Sequence, residues 1–178
     1  RSIILTLDES VDSDEGYTIK CENRRVFINA KTESGLFYGL QTLKQMLLQT
    51  DGKIPYFEIS DAPRFSYRGF MLDSSRHFFT VDEVKKIIDA CALFKLNKFH
   101  FHLTDDQGFR FQMEKYPLLT EVGSKRRASE FSREENDQNE YAHYYTKAEL
   151  KEIVEYCHER YIEVIPEFDI PGHTTSLI

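Results

Sequence analysis

The residues best able to do chemistry lie together in residues 98–109. Apolar side chains alternate there with His100 and His102, so a β-strand would present two imidazoles on one face and bury its other face. Asp105 and Asp106 follow at the point where this strand should end. Imidazoles and carboxylates can transfer protons, bind polar substrate groups or hold a metal ion. The stretch therefore predicts a site at the end of a buried strand.

Two further predicted strands, at residues 67–72 and 163–168, also end in polar or charged side chains. These side chains belong to Asp73, Arg76, His77, Glu167, Asp169 and His173. Parallel strands bring their carboxyl ends to one edge of a sheet, and in β/α enzymes that edge carries the active site. We therefore expect the three clusters to lie side by side.

Two amphipathic helices are predicted between these strands. Each begins with a capping box, at Thr80 with Glu83 and at Thr146 with Glu149, and continues with apolar residues at helical spacing. Strands that alternate with such helices are typical of a parallel sheet covered by helices. A complete (β/α)8 TIM barrel takes about 250 residues, and residues 61–178 suffice for about three strands. The predicted fold class is α/β, an incomplete (β/α)8 barrel.

The first part of the chain follows a different pattern. A strand at residues 3–7, a hairpin at 17–30, a helix capped by Ser34 and a last strand at 55–59 predict part of a small α+β domain. Turn residues at 60–63 suit a domain boundary.

We place the boundary at these turn residues. Residues 1–60 then form the C-terminal part of the small α+β domain, and residues 61–178 form the N-terminal part of a catalytic barrel. About three strands cannot close a barrel, and an open sheet has unpaired edges. We expect the isolated chain to self-associate through those edges.

Composition argues against several classes of function. The net charge of -7 and the pI near 5.4 disfavour nucleic-acid binding, because a polyanion would be repelled. No apolar run approaches the roughly 20 residues that span a bilayer, and the N-terminus lacks the pattern of a signal peptide. Cys21, Cys91 and Cys157 form neither a zinc pattern nor a disulfide framework. Residues 123–143 mix both charges and predict a solvated loop, which could also wall a substrate cleft.

The candidate residues allow other interpretations. His100 and His102 could be two metal ligands, as in amidohydrolase barrels. No clear third and fourth ligands accompany them, which favours hydrogen-bonded histidines and no bound metal. Asp105 with Asp106 could form a turn or a helix cap, and Glu167 could pair with a buried arginine.

Five stretches together closely resemble glycoside hydrolase family 20, the β-N-acetylhexosaminidases. They are residues 35–43, 63–78, 100–107, 144–146 and 165–173. The first resembles the helix of the small domain that precedes the barrel in this family, and the others resemble barrel motifs in order and spacing. Several long motifs in register are far more specific than one short match.

The resemblance implies a retaining glycosidase in which the 2-acetamido oxygen of the substrate attacks the anomeric carbon. A general acid protonates the leaving oxygen, and a carboxylate orients and stabilises the acetamido nitrogen. In the family both come from a His-x-Gly-Gly-Asp-Glu-like motif at the end of the fourth strand. That motif is absent from this chain, so the resemblance implies that the isolated chain is inactive.

For the residues that are present, the resemblance implies binding and supporting roles. Arg68 resembles the arginine that binds sugar hydroxyls, although it could instead form an ion pair at the bottom of the barrel. Asp105 and His173 resemble the groups that bind substrate and support the missing acid. Further supporting side chains are implied at His102, Glu167 and Asp169.

The implied substrates are glycans or chito-oligosaccharides that end in an N-acetylhexosamine, and no cofactor is implied. The implied compartment is secreted, periplasmic or lysosomal. Phe101 stands where the family commonly has Trp, and the chain has no Trp at all, although such pockets generally use Trp to enclose the acetamido group. Two rival hypotheses remain open: a non-catalytic carbohydrate-binding relative, and a metal-dependent barrel hydrolase that uses His100 and His102.

Overall fold

The structure, a computed structural model, describes residues 2–126 and 141–177. Residues 127–140, the middle of the predicted charged loop, lie outside the described residues. Two compact units divide the chain: Arg1–Arg68 with Asp89–Asn97, and Gly69–Ile88 with Lys98–Ile178. The segment Asp89–Asn97 thus groups with the first unit, although it follows the first strand of the second unit. The boundary between residues 60 and 61 stays a prediction.

The first unit has one helix packed on a four-stranded sheet. Its elements are β1 (Ser2–Leu7), β2 (Tyr17–Glu22), β3 (Arg25–Ala30), α1 (Glu33–Gln49) and β4 (Phe57–Asp61). The strand order is β1-β3-β2-β4, with β1 parallel to β3 and the other pairs antiparallel. Apolar side chains of β2, β3 and α1 form the core, among them Ile19, Ile28 and Leu43. This is the predicted mixture of strands and helix.

Local sequence accounts for the hairpin and for the start of the helix. Asn23 and Arg24 connect β2 to β3 with φ angles of 49° and 64°, and a two-residue hairpin loop of type I′ requires positive φ at both positions. The helix begins after Thr32, not after Ser34 as predicted. Thr32 is extended, and its hydroxyl accepts a hydrogen bond from the backbone N–H of Gly35, which makes it the N-cap.

The second unit carries the predicted strand–helix alternation. Its elements are β5 (Gly69–Asp73), α2 (Val81–Leu93, whose last residues group with the first unit), β6 (Lys98–Asp105), β7 (Gly108–Phe109), α3 (Pro117–Glu121), β8 (Lys125–Arg126), β9 (Tyr141–Ala142), α4 (Lys147–His158) and β10 (Glu163–Phe168). Strands β10, β6 and β5 form a parallel sheet in that order. Both predicted capping boxes are confirmed, at the starts of α2 and α4.

The register of the parallel sheet brings the candidate residues to one edge. Lys98 lies opposite Gly69 on one side and Glu163 on the other, so the three strands start level. The sequence predicted only a polar stretch after β6, but β7 folds back antiparallel on the end of β6. No helix among the described residues is both long and apolar enough to cross a bilayer.

The sheet edges lead to a prediction about association. Among the described residues β5 and β10 each pair only with β6, and Phe70 and Met71 of β5 are 42% and 48% exposed. Unpaired apolar edges template pairing with another chain, so we expect the isolated chain to self-associate with rising concentration. Sedimentation velocity measures this, and Met71→Lys should weaken the association. A monomer at all concentrations, with a sharp reversible thermal transition, would contradict the prediction.

Candidate active site

The candidate site is organised around the carboxylate of Asp105, which is 1% exposed at the carboxyl end of β6. Its Oδ2 accepts from Nη2 of Arg76 at 2.7 Å and from Nε2 of His102 at 2.8 Å. Its Oδ1 lies 3.1 Å from Nδ1 of His173 and accepts from the backbone N–H of Asp106 at 2.8 Å. A buried carboxylate is stable only when paired and hydrogen-bonded, and these four donors meet that need.

Asp73, at the end of β5, orients Arg76. Its Oδ1 accepts from the backbone N–H groups of Ser75 and Arg76, both at 3.0 Å, and its Oδ2 accepts from Nη1 of Arg76 at 2.7 Å. Burial alone would raise the pKa of Asp73, but the side-chain and backbone hydrogen bonds from Arg76 hold that pKa below its usual value. The turn therefore places the Arg76 guanidinium in contact with the carboxylates of both Asp73 and Asp105.

Two histidines and a glutamate continue the cluster along β6 and β10. The Oε2 atom of Glu167 lies 2.5 Å from Nε2 of His100 and 2.9 Å from Nδ1 of His102. Neither Nδ1 of His102 nor Oε2 of Glu167 has an aligned hydrogen-bond partner, so we treat these contacts as electrostatic. His102 is 3% exposed, and it stands between the carboxylates of Glu167 and Asp105.

These contacts set the charge of His102. Burial alone would lower its pKa, but the contacts with Glu167 and Asp105, aided by the charge of Asp73, raise the pKa above its ordinary value. In turn, burial alone would raise the pKa of Glu167, but His102 and His100 lower it. The two carboxylates on either side of the ring therefore favour the protonated form of His102.

The stability of the fold should therefore depend on pH through His102. Because its folded-state pKa lies above the ordinary 6.5, the imidazolium stabilises the fold fully below about pH 6.5, and this contribution is lost as pH rises through the folded-state pKa. We expect an NMR titration of the ring to give a pKa above 6.5. His102→Gln should flatten the profile of unfolding free energy against pH in this window. A ring pKa at or below 6.5 would show the charge assignment to be wrong.

His173 reaches Asp105 from the segment after β10. The backbone N–H of Asp169 donates to Oγ1 of Thr104, and Oδ1 of Asp106 accepts from the backbone N–H and the hydroxyl of Thr175. The hydrogen bonds from Thr175 lower the pKa of Asp106. These bonds hold the segment against the end of β6. His173 remains 55% exposed on its side chain, so a substrate or another segment can reach its ring.

Two groups of side chains in the described residues are close enough together to hold a metal ion. They are His102 with Glu167 and Asp169, and Asp105 and Asp106 with His173. In both groups imidazole nitrogens already face carboxylates, and the guanidinium of Arg76 supplies a fixed positive charge to Asp105. The donor set fits a hydrogen-bonded cluster without requiring an ion, and the absence of a metal stays a prediction.

Arg68 is the one predicted site residue that the structure does not bring to this cluster. It precedes β5, at the amino end of the strand, while the cluster lies at the carboxyl end; the five residues of β5 span about 16 Å. Its guanidinium forms two 2.9 Å bonds to the carboxylate of Glu15 and a 2.8 Å bond to the carbonyl of Lys95. Burial alone would raise the pKa of Glu15, but Arg68 holds it below the usual value. Arg68 therefore forms the ion pair that the sequence left as an alternative.

Arg76 and Asp73 are the residues whose role the sequence did not assign. Both were recognised as polar residues after a strand, but neither was given a function. The available signal was their position, since residues that follow a barrel strand lie at the catalytic edge and residues that precede it do not.

Comparison with known proteins gives the relationship. Residues 65–178 match the family described as glycosyl hydrolase family 20, catalytic domain, and residues 2–62 match glycosyl hydrolase family 20, domain 2. The chain is 44% identical to a β-hexosaminidase of Porphyromonas gingivalis over 93% of its own length and 22% of that protein.

Solved structures agree with this match. An exo-β-N-acetylglucosaminidase from Vibrio harveyi in complex with N-acetylglucosamine superposes with a TM-score of 0.88 at 35% identity, over 99% of this chain and 28% of that one. The N-acetyl-β-hexosaminidase of Streptomyces plicatus, in complex with Thio-NAglucal, superposes with a TM-score of 0.84 at 42% identity, over 98% of this chain and 35% of that one. The chain thus spans only about a fifth to a third of these proteins.

The matches decide the fold class. The predicted α/β fold with an incomplete (β/α)8 barrel is confirmed, because the structures that superpose belong to this barrel family and the chain supplies three of its parallel strands. Both family models match consecutive parts of the sequence and together account for nearly all of it. The chain belongs to glycosyl hydrolase family 20.

Proposed function

We propose that the full-length protein containing this chain is an exo-acting β-N-acetylhexosaminidase. It removes terminal N-acetylglucosamine or N-acetylgalactosamine from glycans or chito-oligosaccharides, with retention and with the acetamido group of the substrate as nucleophile. The observation that carries the proposal is the buried Asp105, held by Arg76, His102 and His173 at the carboxyl edge of a barrel sheet. The names of the relatives, which are β-hexosaminidases, support the same reaction.

In this proposal Asp105 and His173 bind and support the general acid. Asp105 fixes His173 through Nδ1, which leaves the other ring nitrogen to face a carboxyl group supplied by a different segment. An imidazole in that position can stabilise the acid or its conjugate base as the proton leaves. The supporting side chains are His102, Glu167 and Asp169. They complement the charges of Asp105 and His173 and keep these two side chains in position. The general acid and the acetamido-orienting carboxylate come from residues outside this chain.

Arg76 takes the sugar-binding role that the sequence gave to Arg68. It lies at the catalytic edge, and a guanidinium offers a planar fork of donors that suits adjacent hydroxyls. Asp73 and Asp105 hold the fork in one orientation, so little conformational entropy is lost on binding.

The reaction needs no cofactor in this proposal, because the nucleophile belongs to the substrate and the acid belongs to the protein. A secreted, periplasmic or lysosomal compartment is proposed with it, from the family resemblance.

Turnover of a chromogenic N-acetylglucosaminide tests the proposal. The full-length protein should release the chromophore, and the 178-residue chain should not. Removing metal ions with EDTA should leave the rate unchanged, which separates this reaction from a metal-dependent hydrolase. A full-length protein that binds N-acetylglucosamine without turnover would instead be a carbohydrate-binding relative, and the proposed activity would then be wrong.

A further inference from the structure

Arg110 is a fully buried arginine whose guanidinium is surrounded by backbone carbonyls. It is 0% exposed and follows β7 directly. Nη1 donates to the carbonyls of Ser124 and His143, both at 2.8 Å, and Nη2 donates to those of Ser75 at 3.0 Å and Gln107 at 3.2 Å. Nε also approaches the carbonyl of Ser75, at 3.3 Å. One side chain thus joins four separate backbone segments.

Two of those segments carry the candidate site. Ser75 is the residue before Arg76, and Gln107 lies in the turn that follows Asp105 and Asp106. A buried cation is costly unless its donors are satisfied, so the carbonyls must keep their positions around the guanidinium. The loop after β5 and the turn after β6 are therefore tied to a common point.

Gly108 belongs to the same arrangement. A Cβ atom at this position would lie 2.2 Å from Cζ of Arg110 and 2.3 Å from its Nη2, so the guanidinium packs directly on the glycine backbone. The hydroxyl of Ser75 also donates to the carbonyl of Gly108 at 2.6 Å. Ser75, Gly108 and Arg110 form one buried unit, which we call the loop clamp.

We propose that Arg110 is a positioning residue for the site, and that the loop clamp fixes Arg76 against Asp105. This inference rests on the proposed function in that Arg76 binds the substrate there. Arg110 itself touches no substrate. It acts through Ser75, whose carbonyl it holds while Asp73 holds the neighbouring amides. The hydrogen bonds to the Ser75 carbonyl and from the amides of Ser75 and Arg76 together fix the peptide bond between these two residues.

Two variants of the full-length protein test the loop clamp, with one control. Arg110→Lys keeps the charge but removes the fork of donors, and Gly108→Ala keeps the arginine but displaces its guanidinium. Arg64→Lys is the matched control, at an exposed arginine. If Arg110→Lys does not fold, as judged by near-ultraviolet circular dichroism, Gly108→Ala provides the test.

The first measurement is hydrogen exchange of the amides of Ser75 and Arg76, which does not depend on turnover. We expect both variants to exchange at least about tenfold faster at these amides, because the loop opens locally without unfolding the core. The control should match the wild type. Unchanged exchange in the folded variants would overturn the inference.

The second measurement separates positioning from a general structural role. Each variant should lower kcat/KM about 100-fold, mainly by raising KM, because a small misplacement of a binding group is costly. In the Arg76→Lys background, Arg110→Lys or Gly108→Ala should lower kcat/KM less than about threefold, since the side chain to be positioned is already altered. Equal losses in both backgrounds would overturn the inference. If the wild type has no turnover, the proposed function fails, and the exchange measurement alone decides the role of Arg110.

Discussion

Asp105→Asn should lower kcat/KM of the full-length enzyme about 100-fold or more while the protein still folds. All four partners of the carboxylate are donors: the side chains of Arg76, His102 and His173, and the amide of Asp106. An asparagine has one acceptor oxygen and one NH2 group, so on one side a donor must face a donor. The imidazole of His173 or the guanidinium of Arg76 then loses its fixed position.

The kinetic profile of this variant is informative. The loss should appear in both kcat and KM, because Asp105 supports the acid through His173 and the sugar contacts through Arg76. Asp82→Asn, the same change at an exposed position in the first turn of α2, is the control and should leave both constants unchanged. An Asp105→Asn enzyme with wild-type kinetics would remove Asp105 from the site.

Arg76→Lys and Arg68→Lys should differ in their effect on KM. Arg76→Lys should raise KM about tenfold to 100-fold, which corresponds to the roughly 1.5–3 kcal/mol carried by hydrogen bonds to charged groups, and it should also lower the free energy of unfolding, because Asp73 and Asp105 lose a shared donor. Arg68→Lys should leave KM unchanged but lower the free energy of unfolding by about 1.5–3 kcal/mol, because the paired bonds to Glu15 are lost.

Each arginine serves as the control for the other, and pH gives a further check on Arg68. Since the pKa of Glu15 is lowered in the fold, its ion pair stabilises the protein above the unfolded-state pKa of about 4.5 and is lost as pH falls through the folded-state pKa. Arg68→Lys should reduce this acid-side dependence. A large KM effect of Arg68→Lys, with unaltered stability, would restore the role that the sequence first assigned.

Arg68 and Arg76 show how much of the sugar-binding site could be predicted from the sequence. Both lie in the stretch that resembles the family, eight residues apart, and both are chemically suited to bind sugar hydroxyls. What separates them is the direction of β5, because Arg68 precedes the strand and Arg76 follows it. The rule that active sites lie at the carboxyl ends of barrel strands favours Arg76 as the sugar-binding residue, and the role predicted for Arg68 stays a prediction that the KM of Arg68→Lys tests.

Other parts of the site were predictable for a clear reason. His102, Asp105 and Glu167 lie on or beside strands whose alternation of apolar and polar residues fixes which side chains share a face, and the structure brings them together. The proposed role of Arg110 could not be predicted, because it depends on the carbonyls of Ser75, Ser124 and His143, which lie 14 to 35 residues away in sequence and leave no periodic signal.

The register of the parallel sheet also bears on how reliably this site can form. Asp73, His102 and Glu167 occupy a single rung across the three strands, each opposite the next. A slip of one residue in β5 would put Leu72 in place of Asp73, and a slip in β10 would put Pro166 or Phe168 in place of Glu167. Because one-residue slips exchange the faces of a strand, a slip of β5 would take Asp73 away from His102 and a slip of β10 would take Glu167 away, while Asp105, on the same strand as His102, would stay in contact. The charged side chains of the site therefore favour the native strand register, because a sheet in the wrong register would lose contacts between charges even where apolar packing tolerates the shift.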